Sequence, residues 1–256
     1  MRYEILGPVR IAQGHDFLSI KARKIEAVLA VLLIRVDTIV SIDQLVAEIW
    51  GTDPPRRATA CLHVYISQLR KWLAGSTCTV APVVTRQPGY LLRLGADELD
   101  VDTFVDLSRQ GRKLAAADRH PEAVTAFESA LALCRGPILA DLPHGPIVEG
   151  FATWLREAEL ECTEMLMDAY LTLGRHRELV GRLGRLTVEH PLREIFYRQH
   201  MLALYRSERQ AEALGVYRNA GATLRDELGL EPGVALRELQ RAILVHDDRL
   251  SLVSCA

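Results

Sequence analysis

The chain has 256 residues, 49% of them hydrophobic and 25% charged, with 31 Lys and Arg against 33 Asp and Glu for a formal net charge of −2. That composition is ordinary for a globular protein with room for two domains, and it excludes disordered, collagen-like and disulfide-scaffold chains. The longest apolar stretch, residues 25–34, contains Glu26 and is about half a membrane span, and no apolar signal core follows the first charge. Five cysteines (Cys61, Cys78, Cys134, Cys162, Cys255) are scattered, odd in number and never in a CxxC pair, which suits a reducing cytosol. The net charge conceals an asymmetry. Residues 1–95 carry 12 Lys and Arg against 7 Asp and Glu, a surplus of +5, whereas residues 96–256 carry 19 against 26, a deficit of −7. A basic first domain and an acidic second one suggest that only the first meets a polyanion.

In chain order, Tyr3, Ile5, Val9 and Ile11 are apolar at roughly alternate positions around a Gly7-Pro8 break, and residues 17–20 can pair after Gly14, so short strands are expected. Residues 23–34 read as a helix with Ile25, Val28, Leu29 and Leu32 on one face. A β-prone piece follows at 38–40, and Ser41 is an N-cap for a second helix ending at Trp50. Residues 51–55, with two prolines, form a loop. A third helix is expected over 57–74, with Leu62, Ile66, Leu69 and Leu73 inward and Gly75 as its stop. Residues 83–85 and 90–94, joined by Arg86-Gln87-Pro88-Gly89, read as a β-hairpin. Strands, three helices and a hairpin are the layout of a winged helix-turn-helix, its core expected to be complete before residue 96.

After residues 97–100 the pattern becomes helical to the end. Asp118-Arg119-His120, Gly174-Arg175-His176 and Glu208-Arg209-Gln210 lead into Ala123, Leu179 and Ala213 in the same way. The second and third are one tetratricopeptide period apart, and an insertion around 137–150 separates the first. Ala126, Ala130 and Ala222 are expected where helices pack closely, with Pro191 and Pro232 as stops. Stacked helix hairpins with a concave face are the expected outcome.

Function in a winged helix lies in what its third helix shows to solvent. Turning the leucine row inward turns His63, Val64, Ser67, Gln68 and Lys71 outward. Arg56, Arg57, Arg70 and Lys71 give residues 56–73 a charge of +4 with no acid among them. An α-helix fits the major groove of B-DNA, where Gln pairs bidentately with adenine and Val touches a thymine methyl.

The runs VSIDQL (40–45), IWG (49–51), LHVYISQLRK (62–71) and PGYLL (88–92) resemble the DNA-binding half of the Streptomyces antibiotic regulatory protein family. LDVDTF (99–104), RGPILADL (135–142) and ELGLEPG (227–233) resemble its second half, a bacterial transcriptional activator domain. The resemblance implies an OmpR-type winged helix in a short member lacking receiver and nucleotide-binding modules. His63 is a departure, since such helices often carry Gln there. By resemblance the third helix enters the major groove, and the hairpin, with Arg86 and Gln87, touches the adjacent minor groove or backbone. Arg56, Arg57, Thr59, Arg70, Lys71 and Arg86 are then contacts to phosphates or base edges, and Lys21, Arg23 and Lys24 add phosphate contacts at the start of the first helix. Tyr90, Trp50 and Trp72 are assigned to packing.

The fold class expected is thus an α+β winged helix-turn-helix domain (residues 1–96), an all-α tetratricopeptide-like repeat domain (97–246), and a disordered tail (247–256). The function implied is a cytoplasmic, nucleoid-associated transcriptional activator, of an antibiotic or other secondary-metabolite gene cluster. Its implied partners are double-stranded DNA with a direct-repeat operator near the −35 element, RNA polymerase holoenzyme, and a second copy bound head-to-tail. No membrane, cofactor or metal is expected. The histidines lack ligand spacing, Asp100 and Asp102 suit a junction cap better than acid–base work, and no GxSxG or Walker motif occurs, so an enzyme is not expected. The alternative is a protein-interaction scaffold, or a repressor whose winged helix contacts a protein.

Overall fold

The computed structural model describes residues 1–14, 16–74, 82–137, 139 and 145–250. The chain forms two compact units, one from Met1–Ser108 with Ser129–Leu160 and the other from Arg109–Glu128 with Glu161–Ala256. The expected stop at Gly75, part of the 135–142 run, and tail residues 251–256 lie outside the described residues.

The first unit opens with β1 (Arg2–Glu4), β2 (Arg10–Gln13) and β3 (Asp16–Leu18), then α1 (Arg23–Ile34), β4 (Val40–Ser41), α2 (Ile42–Trp50), α3 (Ala58–Ala74), β5 (Val83–Arg86), β6 (Gly89–Leu92) and β7 (Glu98–Leu99). The amino-terminal strands form a sheet in the order β3-β2-β1-β7, and β4-β6-β5 form a second. The expected strand at 17–20 sits earlier, and Phe17 is 55% exposed with the Arg10 guanidinium 4.0 Å from its ring. β7 pairs parallel to β1, Tyr3 opposite Leu99, in the junction segment to which the sequence assigns no strand. Two residues are too few to show any periodicity, so this strand has no local signature.

The α2 start is legible from chemistry. The Ser41 hydroxyl accepts the Gln44 amide, and the Gln44 side chain accepts the Ser41 amide, a complete capping box. Gly89 is demanded by β4, because a Cβ there would fall 1.9 Å from the Val40 carbonyl oxygen.

The core of this unit corrects one expectation. It is not complete before residue 96, because Leu99, Leu139 and Val148 are buried within the same cluster as Leu29, Leu45, Leu62, Leu69 and Leu92. Asp100, 2% exposed, accepts the Ile5 amide at 2.9 Å and the Leu6 amide at 3.0 Å, tying the domain junction to the end of β1. Burial pushes its carboxyl above the usual range, outweighing those amides and Arg135. Neighbouring Glu4 is also pushed up by burial, but Arg10, Arg2 and Arg135 together hold it below its ordinary value.

The remaining helices are α4 (Asp100–Ala116), α5 (His120–Leu131), α6 (Pro146–Thr172), α7 (His176–Glu189), α8 (Glu194–Arg206), α9 (Gln210–Leu228) and α10 (Val234–Leu244). The first three contribute residues to both units. The three overlaid segments are equivalent turns. Each starts on a left-handed residue, Asp118, Gly174 or Glu208, with φ of +57°, +76° and +64°. The next arginine then donates its amide five residues back, to Leu114, Tyr170 or Leu204, and pairs with a glutamate three residues on. Ala126 and Ala130 are buried as expected, but Ala222 is exposed, and its neighbours Ala220 and Gly221 face inward instead. The disordered tail expected from residue 247 is corrected over 248–250, which are ordered. Asp248–Leu250 form a 3-10 turn whose Leu250 carbonyl accepts Arg206 Nε at 2.9 Å.

Candidate nucleic-acid interface

α3 divides as its sequence dictates. Leu62, Ile66, Leu69 and Leu73 are at most 1% exposed, whereas His63, Val64, Ser67, Gln68 and Lys71 all face solvent. His63, Ser67 and Lys71 follow one another about one helical turn, roughly 6 Å, apart, and Val64 and Gln68 share a parallel row. Val64 is 51% exposed, a large apolar side chain held out of the core on an otherwise polar face. Arg56, Arg57 and Thr59, at the entry to the helix, are exposed as well.

The hairpin flanks this face. Arg86 and Gln87 are exposed at its tip, and Arg86 pairs across to Gly89. Tyr90, 6% exposed, packs under α3, with the His63 ring edge-on at 6.4 Å and the Arg70 guanidinium 5.8 Å from its ring centre. Its assignment to the hairpin core agrees with this.

Arg70 occupies a different situation from Lys71. Its Nε donates to the Val83 carbonyl at 3.0 Å and a terminal nitrogen donates to the Thr85 hydroxyl at 2.8 Å. The guanidinium fork therefore staples α3 to β5, fixing the wing against the helix. Lys71, the next residue, is exposed.

On the other side, Lys21, Arg23 and Lys24 are exposed at the start of α1, whose N-cap, Ala22, offers no side-chain hydrogen bond. The first amides of α1 thus lack a side-chain cap, an arrangement that favours an anion. Lys24 also lies 5.0 Å over the Trp50 ring, and Trp50 stacks on Tyr65 at 6.0 Å. Trp50 and Trp72 are half-buried against the core, as packing residues should be.

The sequence reading missed Glu48. It is 3% exposed on α2, and its carboxylate accepts the amides of Ile147 and Val148. An acid between apolar residues on a short helix carries no local mark of such a partner.

An exposed helix face bearing polar, cationic and one apolar side chain, with no acid, and braced by a hairpin, defines the class of helix-turn-helix regulators. The profile described as "Transcriptional regulatory protein, C terminal" matches residues 20–92, and that of the "Bacterial transcriptional activator domain" matches residues 99–244. The chain is 36% identical over 253 residues to the transcriptional regulator RedD of Streptomyces coelicolor, covering 98% of this chain and 72% of RedD. It is 39% identical over 251 residues to the regulatory protein AfsR of Streptomyces griseus, of which it spans 25%. Mycobacterium tuberculosis EmbR, solved in complex with a low-affinity phosphopeptide, superposes with a TM-score of 0.89 at 35% identity over 96% of this chain and 65% of EmbR. The chain belongs to the Streptomyces antibiotic regulatory protein family of transcriptional regulators. Among the described residues no helix is long and apolar enough to cross a membrane.

Proposed function

We propose that this chain is a sequence-specific DNA-binding transcriptional activator, acting in the cytoplasm on a secondary-metabolite gene cluster. The observation that carries the reading is the exposed face of α3, free of acids and framed by Arg86 and Gln87 on the wing. Gln68 and Val64 would read base edges in the major groove, with His63 and Ser67 beside them. Arg56, Arg57, Thr59, Lys71 and Arg86 would hold phosphates and set the register, as would Lys21, Arg23 and Lys24 at the α1 amino terminus. The operator is a direct repeat near the −35 element, occupied head-to-tail by two copies through two different surfaces. The acidic second half argues against DNA as its partner and for a protein, here RNA polymerase holoenzyme.

The test is a gel shift of genomic fragments by the purified chain at two salt concentrations, repeated with polymerase. A steep loss of affinity with salt supports phosphate contacts. Cooperative binding with polymerase, worth about 1–3 kcal/mol, supports recruitment. Salt-independent binding to protein alone would favour the scaffold reading, and simple additive occupancy would favour a repressor.

A further inference from the structure

α6 has an unusual first turn. Gly145 stands at its N-cap position, its carbonyl accepting the Glu149 amide at 2.9 Å, and Pro146 follows as the first helical residue. Glycine has no side chain with which to cap, so the amides of Ile147 and Val148 depend on another residue. Glu48 of α2 supplies the cap from about a hundred residues away. One carboxylate oxygen accepts Ile147 N–H at 2.6 Å and the other Val148 N–H at 3.3 Å. The fit is tight in both directions. A Cβ on Gly145 would lie 2.6 Å from the Cα, Cδ and Oε2 of Glu48, so the cap and the glycine require each other.

The route from this cap to α3 is short. Glu48 lies two residues before Trp50, whose ring stacks on Tyr65, the neighbour of Val64 on the exposed face of α3. Leu45 and Ile49 on α2 share their core with Leu62 and Ile66 on α3 and with Val148 on α6. A carboxylate deprived of its two amides cannot stay buried, and α2 must move to hydrate it.

We propose that Glu48 is a positioning residue for α3: by capping α6 it fixes α2, so the exposed row on α3 is competent only while the first turn of α6 is docked. This rests on the DNA-binding reading of α3. The docked segment is thereby part of the DNA-binding machinery, although it lies beyond the winged-helix sequence.

The experiment uses the full chain, with duplexes enriched by the wild-type protein from a randomised pool as the probe. Glu48→Ala and Gly145→Ala should each weaken binding about tenfold and speed hydrogen exchange at Ile147, Val148 and the α3 amides. Glu48→Gln, which keeps one acceptor oxygen, should fall between. The double variant should be no worse than the weaker single one, because both break the same contact. Ile11→Val, in the amino-terminal sheet, serves as a destabilised control and should bind within about twofold of wild type. Binding by Glu48→Ala and Gly145→Ala within twofold of wild type, or losses that multiply in the double variant, would overturn the proposal. If wild type enriches no duplex, the DNA-binding reading fails by itself. The positioning role then stands or falls on α3 exchange, and wild-type exchange there in Glu48→Ala sinks it.

Discussion

Arg70→Ala separates two roles that the sequence alone cannot distinguish, a phosphate contact and a staple between helix and wing. The structure commits its guanidinium to the Val83 carbonyl at 3.0 Å and the Thr85 hydroxyl at 2.8 Å. A hydrogen bond from a charged donor to a partly buried carbonyl contributes about 1.5–3 kcal/mol, the exposed bond to Thr85 about 0.5 kcal/mol, and the stacking over Tyr90 about 0.5–1 kcal/mol. The loss should therefore be about 2.5–4.5 kcal/mol, a large share of the roughly 5–15 kcal/mol that holds a typical domain. Trp50, Trp72 and Trp154 all belong to the unit that contains Arg70, so tryptophan fluorescence during urea unfolding reports on it directly. With a urea slope of about 2 kcal/mol per molar, the midpoint should drop by roughly 1–2 M. Arg70→Lys should fail to restore it, since an ammonium cannot span both acceptors as the planar fork does. DNA affinity should fall for all sequences alike, with little change in salt slope, because the wing and not a phosphate contact is lost. An unchanged unfolding midpoint, together with a salt slope reduced by about one, would refute the reasoning and make Arg70 a phosphate contact.

Other perturbations have distinct signatures. Lys71→Ala should leave the urea midpoint unchanged while weakening binding to every duplex and reducing the salt slope by about one, which titrations at several salt concentrations would check. Gln68→Ala should cost about 1–3 kcal/mol on cognate sites only, so equal losses on random DNA would remove it from base reading. A fragment ending at residue 96 loses the buried side chains of Leu99, Leu139 and Val148, about 5–9 kcal/mol at roughly 1.5–3 kcal/mol each, and should show no cooperative melting by near-ultraviolet circular dichroism. Glu208→Gly relieves a left-handed non-glycine turn at φ +64° and should raise stability by about 0.5–1 kcal/mol; a lower melting temperature would count against the assigned backbone.

The sequence by itself determined whatever repeats over short range. The 3.6-residue period over 58–74 fixes which side of α3 is buried, because a leucine row spaced three and four apart lies on one face of any helix. Ser41 and Gln44 announce the start of α2, since a capping box needs only residues three apart. The three helix turns could be overlaid for the same reason, as each is closed within about nine residues by one left-handed residue, one backbone bond and one Arg–Glu pair. Tertiary structure alone decided what Glu48, Arg70 and Leu139 do, and which amides Asp100, legible as a junction cap, would hold. The partners of Glu48 and Asp100 are 94 to 100 residues away, and a carboxylate bound for a distant amide cap, as Glu48 is, looks in sequence like any solvated acid on a helix. Arg70 illustrates the limit most plainly. Its charge and spacing match those of Lys71 beside it, yet one points along the helix flank to β5 and the other into solvent, because consecutive residues on a helix project about 100° apart and only the packed hairpin distinguishes the two directions.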